Sequence, residues 1–192
     1  MSRIRNIVLD MGNVLFDYNP KAMTDYFLPN GSKEDKELFL QEFFNKEEWN
    51  DRDLGILTDE EVYESVAKRL PARLHEPLRQ CLQHWEKCMI PFEEAREFVR
   101  YIREKGYGLY VLSNASTTFY AYFPKFSPLY WFDGIVISSD IHLLKPDSAI
   151  YKYLLTKYGL KPEQCLFMDD RADNVEGARA VGMEAAVFKE NW

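Results

Sequence analysis

Four short stretches of this 192-residue chain carry side chains suited to one kind of chemistry: Asp10-Met11-Gly12-Asn13, Ser113-Asn114, Lys145-Pro146 and Asp169-Asp170. Asp10, Asp169 and Asp170 offer hard carboxylate oxygens of the sort Mg²⁺ accepts alongside water and a phosphate group. Lys145 would bring a point charge to phosphoryl oxygens. Ser113, with the amides that open a following helix, would donate to another oxygen. A carboxylate attacking a phosphate dianion meets like-charge repulsion, so the approach requires a divalent cation and fixed donors. The set fits phosphoryl transfer.

These residues need elements that deliver them to one place. Asn6-Ile7-Val8-Leu9-Asp10 is a short apolar run ending in an acid, which reads as a buried strand feeding a loop. Similar runs occur at 109–112, 135–137, 166–168 and 185–188. Between them lie helical patterns at 92–105, 147–158 and 173–181, closed by Gly106, Gly159 and Gly182. Strands alternating with helices predict a doubly wound α/β fold, a Rossmann-like parallel sheet covered on both faces. Ligands of such sheets bind beyond the carboxyl ends of the strands, where Asp10, Ser113 and Asp169 fall.

The stretch 18–90 has no convincing strand and reads as amphipathic helices at 20–28, 33–45, 58–70 and 76–88. Inserted after the first strand, it is expected to form a small helical cap domain over a core domain made of 1–17 and 91–192.

The motifs resemble those of the haloacid dehalogenase superfamily. Ile7-Val8-Leu9-Asp10-Met11-Gly12-Asn13-Val14-Leu15 is similar to its first motif, Leu112-Ser113-Asn114 to its second, Lys145-Pro146-Asp147 to its third, and Phe167-Met168-Asp169-Asp170 through Asn174 to its fourth. The resemblance implies that Asp10 is a nucleophile forming an aspartyl-phosphate, and that Ser113, Asn114 and Lys145 hold the phosphoryl group. It further implies that Asp10, Asp170 and the Gly12 carbonyl bind Mg²⁺, with Asp169 a direct or water-mediated ligand. Asp173 and Asn174 would position the loop or cap the next helix.

One position departs from the superfamily's phosphatases, which usually place a second Asp two residues after the nucleophile as proton donor. Here that residue is Gly12, which cannot transfer a proton. Losing a general acid costs on the order of 10²–10⁴ in rate, so an ester with a relatively acidic leaving group, such as an anomeric sugar phosphate, is expected. The segment around Asp10 is also similar to bacterial sugar-1-phosphate phosphatases of the superfamily, the α-glucose-1-phosphate enzymes among them. A phosphotransferase or mutase, or a regulatory module that binds phosphate without turnover, is the alternative. Asp17, ahead of Asn19-Pro20, reads as a turn residue more readily than as a replacement acid.

Composition narrows the partners. A net charge of −7 disfavours nucleic acid. No window approaches the roughly 20 apolar residues of a membrane helix, and Arg3 and Arg5 lead into a strand-like run, not a signal peptide. The expectation is a cytoplasmic monomer or weak homodimer acting on a small-molecule phosphate ester. Cys81, Cys88 and Cys165 have no CxxC spacing and His75, His84 and His142 are scattered, so all six read as packing or surface residues. In the cap, Glu48 to Gly55 followed by Thr58-Asp59-Glu60-Glu61 reads as a turn and then a capped helix, and Trp49, Arg52 and Asp53 either contact substrate or simply pack. Eight of the fourteen residues from Phe119 to Phe132 are aromatic, which points to core packing first and a dimer surface second.

Overall fold

A computed structural model of the chain describes residues 4–189, so Arg3 lies outside the described residues. In chain order the elements are β1 (Asn6–Leu9), β2 (Phe16–Asp17), α1 (Pro20–Phe27), α2 (Lys33–Phe39), α3 (Glu47–Asp53), α4 (Asp59–Ala67), α5 (His75–His84), β3 (Ile90–Pro91), α6 (Glu93–Glu104), β4 (Gly108–Ser113), α7 (Phe119–Tyr122), β5 (Gly134–Ile137), α8 (Ser138–Ile141), α9 (Ser148–Lys157), β6 (Cys165–Asp169), α10 (Ala172–Ala180) and β7 (Glu184–Val187).

The five long strands form one sheet in the order β5-β4-β1-β6-β7, with every neighbouring pair parallel. From the central β1 the chain builds outward through β4 and β5, then returns to add β6 and β7 on the other side. The direction of winding thus reverses beside β1, which opens a crevice at its carboxyl end. Ile7 and Leu9 of β1 face one apolar core with Leu109 and Val111 of β4. Val8, Tyr110 and Leu112 face a second core with Phe167 and Tyr151. Burial on both faces is why the strands read as unbroken apolar runs.

Helix starts follow local capping chemistry. Asn19 accepts from the Ala22 amide, Ser32 from Asp35 and Asp147 from Ala149, and Thr58 with Glu61 forms a reciprocal capping box at α4. Three features depart from the sequence expectation. The stretch from Glu48 to Gly55, expected to contain a turn before the helix capped at Thr58, does turn at Leu54-Gly55, but its first part belongs to the helix Glu47–Asp53, with Trp49 and Arg52 buried. The helix expected to run to residue 45 ends its α-helical part at Phe39 and continues as a π-helical turn over Leu40–Phe44. The two-residue strands β2 and β3 pair antiparallel, Phe16 with Pro91 and Asp17 with Ile90, where the helical block leaves and rejoins the sheet. Asp17 therefore belongs to this junction, and the cap of α1 is Asn19.

The aromatic stretch is mainly core. Phe119, Tyr122, Phe123, Phe126 and Phe132 are buried, while Tyr120 and Tyr130 are exposed. Among the described residues, no helix is long and apolar enough to cross a membrane.

Gly177 brings α10 against the segment that carries Lys145. A Cβ there would lie 2.6 Å from the Pro146 carbonyl oxygen and 2.9 Å from the Tyr151 ring. Gly177→Ala is expected to lower stability by about 1–3 kcal/mol through this overpacking, read as a lower midpoint in denaturant unfolding.

Candidate active site

Apart from the segments at Lys145 and Asn174, the motif residues stand at a strand end or on the loop that follows one. Asp10 comes directly after β1, and its amide donates to the Met168 carbonyl at 2.9 Å, which ties this loop to β6. Ser113 is the last residue of β4 and Asp169 the last of β6. Lys145 arrives on the loop between α8 and α9.

Lys145 is the hub. Its buried Nζ donates to Asp10 Oδ1 at 2.6 Å, to Asp169 Oδ2 at 2.6 Å and to the Leu112 carbonyl at 2.9 Å. All three donors of the ammonium are thus engaged. Asn114 fixes the lysine's backbone: its Oδ1 accepts from the Lys145 amide at 2.8 Å and its Nδ2 donates to the Lys145 carbonyl at 3.0 Å. Asp169 is fully buried and heavily bonded. Besides Lys145 it accepts from the Arg171 amide at 2.9 Å and from Asn174 Nδ2 at 3.0 Å on each oxygen. Asp170 accepts from Asn13 Nδ2 at 2.9 Å, and Asn13 Oδ1 accepts from the Tyr18 amide at 3.0 Å.

The electrostatics follow from burial. Desolvation raises the Asp10 carboxyl above the usual range, Lys145 works against that shift and Asp169 adds to it. Burial also opposes the Lys145 charge, but Asp10 and Asp169 outweigh it and hold the ammonium above its ordinary value. Asp170 is raised by burial and by Asp169, against the hydrogen bond from Asn13. Such carboxylates, crowded at one point, gain from a cation. Oxygens of Asp10, Asp169 and Asp170 lie within 4.8 Å of one another, the sole group of three acidic, His or Cys side chains so placed among the described residues. Hard oxygen donors in this number suit Mg²⁺.

These groups open onto a cavity of about 410 Å³ whose floor includes Asp10, Ser113, Lys145 and Asp170. Its far wall comes from the helical block and includes Phe44, Trp49, Asp53 and Trp85.

Residues 4–182 match the family model for haloacid dehalogenase-like hydrolases. The chain belongs to this family. It is 28% identical over 189 residues to drimenol cyclase drtB of Aspergillus calidoustus, covering 96% of this chain but 34% of that protein. It therefore spans about a third of that relative. It is 26% identical over 183 residues to sesquiterpene phosphatase astK of Aspergillus oryzae, covering 92% of this chain and 85% of the other. Among solved structures, a haloacid dehalogenase family enzyme from Bacteroides thetaiotaomicron superposes with a TM-score of 0.80 at 20% identity, covering 100% of this chain and 97% of that one. The last similarity shows the fold.

For this haloacid dehalogenase-like hydrolase, the structure brings Asp10, Gly12, Ser113, Asn114, Lys145 and Asp170 to one cavity, with Asp169 immediately behind Lys145. Asn114 reaches the cavity, yet both ends of its side-chain amide are taken by the Lys145 backbone. Of the three cap residues singled out, Trp49 is buried and also lines the cavity, and Asp53 lines it. Arg52 stands behind, buried between the Trp49 and Trp85 rings at 5.1 and 5.4 Å, with its Nε donating to Asp59 at 2.6 Å. Asn13 was given no role by sequence reasoning. Its φ of 54° is a left-handed conformation that Asn tolerates better than most residues, and Gly-Asn in the loop after β1 is the signal that could have marked it.

Asn174→Ala removes the amide that satisfies both Asp169 oxygens within a buried site. The expected cost is about 1–3 kcal/mol of stability, measured by denaturant unfolding, with Asn174→Asp at least as damaging because it adds an unpaired negative charge.

Proposed function

We propose that this chain is a Mg²⁺-dependent phosphomonoester hydrolase in which Asp10 takes the phosphoryl group as an aspartyl-phosphate. The observation that carries the reading is the meeting of Asp10, Lys145 and the Asp169-Asp170 pair at the carboxyl ends of β1 and its neighbours. A buried carboxylate held at 2.6 Å from an ammonium is oriented for attack. Ser113 donates to a phosphoryl oxygen, and Lys145, whose three donors go to Asp10, Asp169 and the Leu112 carbonyl before substrate binds, brings its charge to the phosphoryl group. Asn114 acts through Lys145, whose backbone it clamps. Asp10, Asp170 and the Gly12 carbonyl hold the cation, and Asp169 positions Lys145, since its own oxygens are already engaged. Bound Mg²⁺ supplies charge neutralisation that lets the two anions approach.

Gly12 favours an ester whose leaving group needs little protonation, and a sugar 1-phosphate is one small metabolite of that kind. The aromatic wall of Phe44, Trp49 and Trp85 favours an organic group with an apolar face. A sugar ring and a hydrocarbon both have one, and the similarity to a protein named sesquiterpene phosphatase supports testing prenyl monophosphates beside the sugars.

Phosphate release from sugar 1-phosphates, sugar 6-phosphates and prenyl monophosphates tests this. Release is expected with Mg²⁺, is lost with EDTA, and is abolished by Asp10→Asn. Binding of Mg²⁺ and phosphate with no release from any ester overturns hydrolysis. Asn13→Ala, which frees Asp170, is expected to weaken Mg²⁺ binding by about 10–100-fold, measured by titration calorimetry.

A further inference from the structure

A hydrolase with glycine two residues after its nucleophile needs its proton from elsewhere, and the wall opposite Asp10 contains one carboxyl group. Asp53, the last residue of α3, lines the same cavity as Asp10, Ser113 and Lys145. Its position is fixed by contacts between the helical block and the sheet. The Ser138 hydroxyl donates to the Asp53 carbonyl at 2.5 Å, and the His142 ring meets the Leu54 carbonyl at 2.8 Å. Gly55 lies so close to the 138–142 segment that a Cβ would be 2.6 Å from the Ser139 carbonyl oxygen. These contacts fix the backbone of Asp53, and its carboxyl group lies 3.9 Å from Arg52 Nη1.

Gly12, Tyr18 and Asp53 line the same cavity. A Cβ on Gly12 would lie 3.4 Å from the Tyr18 Cβ, so Tyr18 stands next to the place where a side chain at position 12 would begin. Tyr18 is itself within electrostatic reach of Asp53, and Tyr122 is within reach of both Asp53 and Asp10.

Resting on the hydrolase reading above, we propose that Asp53 is the general acid and base of the reaction, supplied by the helical block in place of the missing side chain at Gly12. In the first step an Asp10 oxygen bonds to phosphorus and the phosphorus–ester oxygen bond breaks. Its electron pair stays on the ester oxygen, which takes the Asp53 proton and leaves as the alcohol. In the second step the Asp53 carboxylate takes a proton from the attacking water. The bond between Asp10 and phosphorus breaks, phosphate leaves, and both carboxyl groups return to their starting states. A donor in this place extends the substrate range from acidic leaving groups to ordinary alcohols.

The protonation state agrees. Burial pushes the Asp53 carboxyl up to about 7, with the Arg52 guanidinium and the Ser116 amide only partly offsetting it. The charged or titratable groups around it are Arg52 on its own helix, Asp59 of α4 bound to Arg52, Tyr18, Tyr122 of α7, and His142 after α8. A raised carboxyl keeps its proton below that value and loses it above, so the acid form is present at neutral and lower pH.

The test compares aryl phosphates of graded leaving-group acidity, p-nitrophenyl phosphate against phenyl phosphate, on the full chain with Mg²⁺. Asp53→Asn is expected to lower kcat/KM for phenyl phosphate by about 10²–10⁴-fold, with a much smaller loss for p-nitrophenyl phosphate, whose leaving group departs unprotonated. Because the two substrates are compared on one preparation, partial unfolding cannot produce the difference. Asp53→Glu restores part of the phenyl phosphate activity, and the fall of wild-type kcat/KM for phenyl phosphate above about pH 7 disappears in Asp53→Asn. Equal losses on both substrates overturn the assignment and leave Asp53 as a docking residue, with hydrolysis by Asp10 intact. No release by the wild type from these aryl phosphates or from any sugar or prenyl phosphate overturns the hydrolase reading, and this assignment with it.

Discussion

Two carboxylates from adjacent strands, Asp10 and Asp169, share one buried ammonium at 2.6 Å each at the base of the cavity. Burying either anion alone would cost several kcal/mol, and Lys145 offsets both at once. Most of the surrounding structure serves to keep that lysine in place. Asn114, directly after β4, grips its backbone, and the Leu112 carbonyl takes its third proton. Asn174 of α10 satisfies Asp169 while its own carbonyl accepts from Tyr151 of α9 at 2.7 Å. The parallel sheet matters because its carboxyl edge is where β1, β4 and β6 can present three such groups side by side.

The same physics explains what was legible in the sequence. Parallel strands buried on both faces must be apolar throughout, so all five could be read as runs ending in polar residues. Asp10, Ser113 and Asp169 could be read because they break those runs. Helices with side-chain caps at Asn19, Ser32, Thr58 and Asp147 were visible for a similar local reason. What depends on distant partners was not. A two-residue strand such as Ile90–Pro91 has no period to detect. The helix Glu47–Asp53 begins without a side-chain cap and is held by the burial of Trp49 and Arg52. Asn13 has a role only because Asp170, 157 residues later, comes within 2.9 Å of it.

A chain of aromatic contacts joins the helical block to the sheet. Phe16 meets Tyr122 edge-on at 5.8 Å, Tyr122 meets Trp85 at 5.2 Å and Trp85 meets Trp49 at 5.9 Å. Geometry of this kind adds about 0.5–1.5 kcal/mol per pair beyond area burial. These residues also belong to one apolar cluster that continues from Leu9 and Val111 of the sheet into Val62 and Leu78 of the block. The wall that faces Asp10 is therefore an extension of the sheet's own core, which gives the aromatic run at 119–132 a structural purpose.

Two glycines show how the site and the fold make different demands. Gly55 has a φ of +73° and sits against the Ser139 carbonyl, so both backbone and space exclude a side chain there. Gly12 has no left-handed φ, and a Cβ would meet Tyr18 at the ordinary contact distance of 3.4 Å. The fold does not require glycine at position 12. Where the proton donor comes from Asp53, the chemistry does not require a carboxyl group there either. The cost moves to Gly55, whose close approach to Ser139 of α8 keeps Asp53 on the cavity that Asp10 also lines. Catalysis then depends on the docking of the helical block as strictly as on the residues at the strand ends.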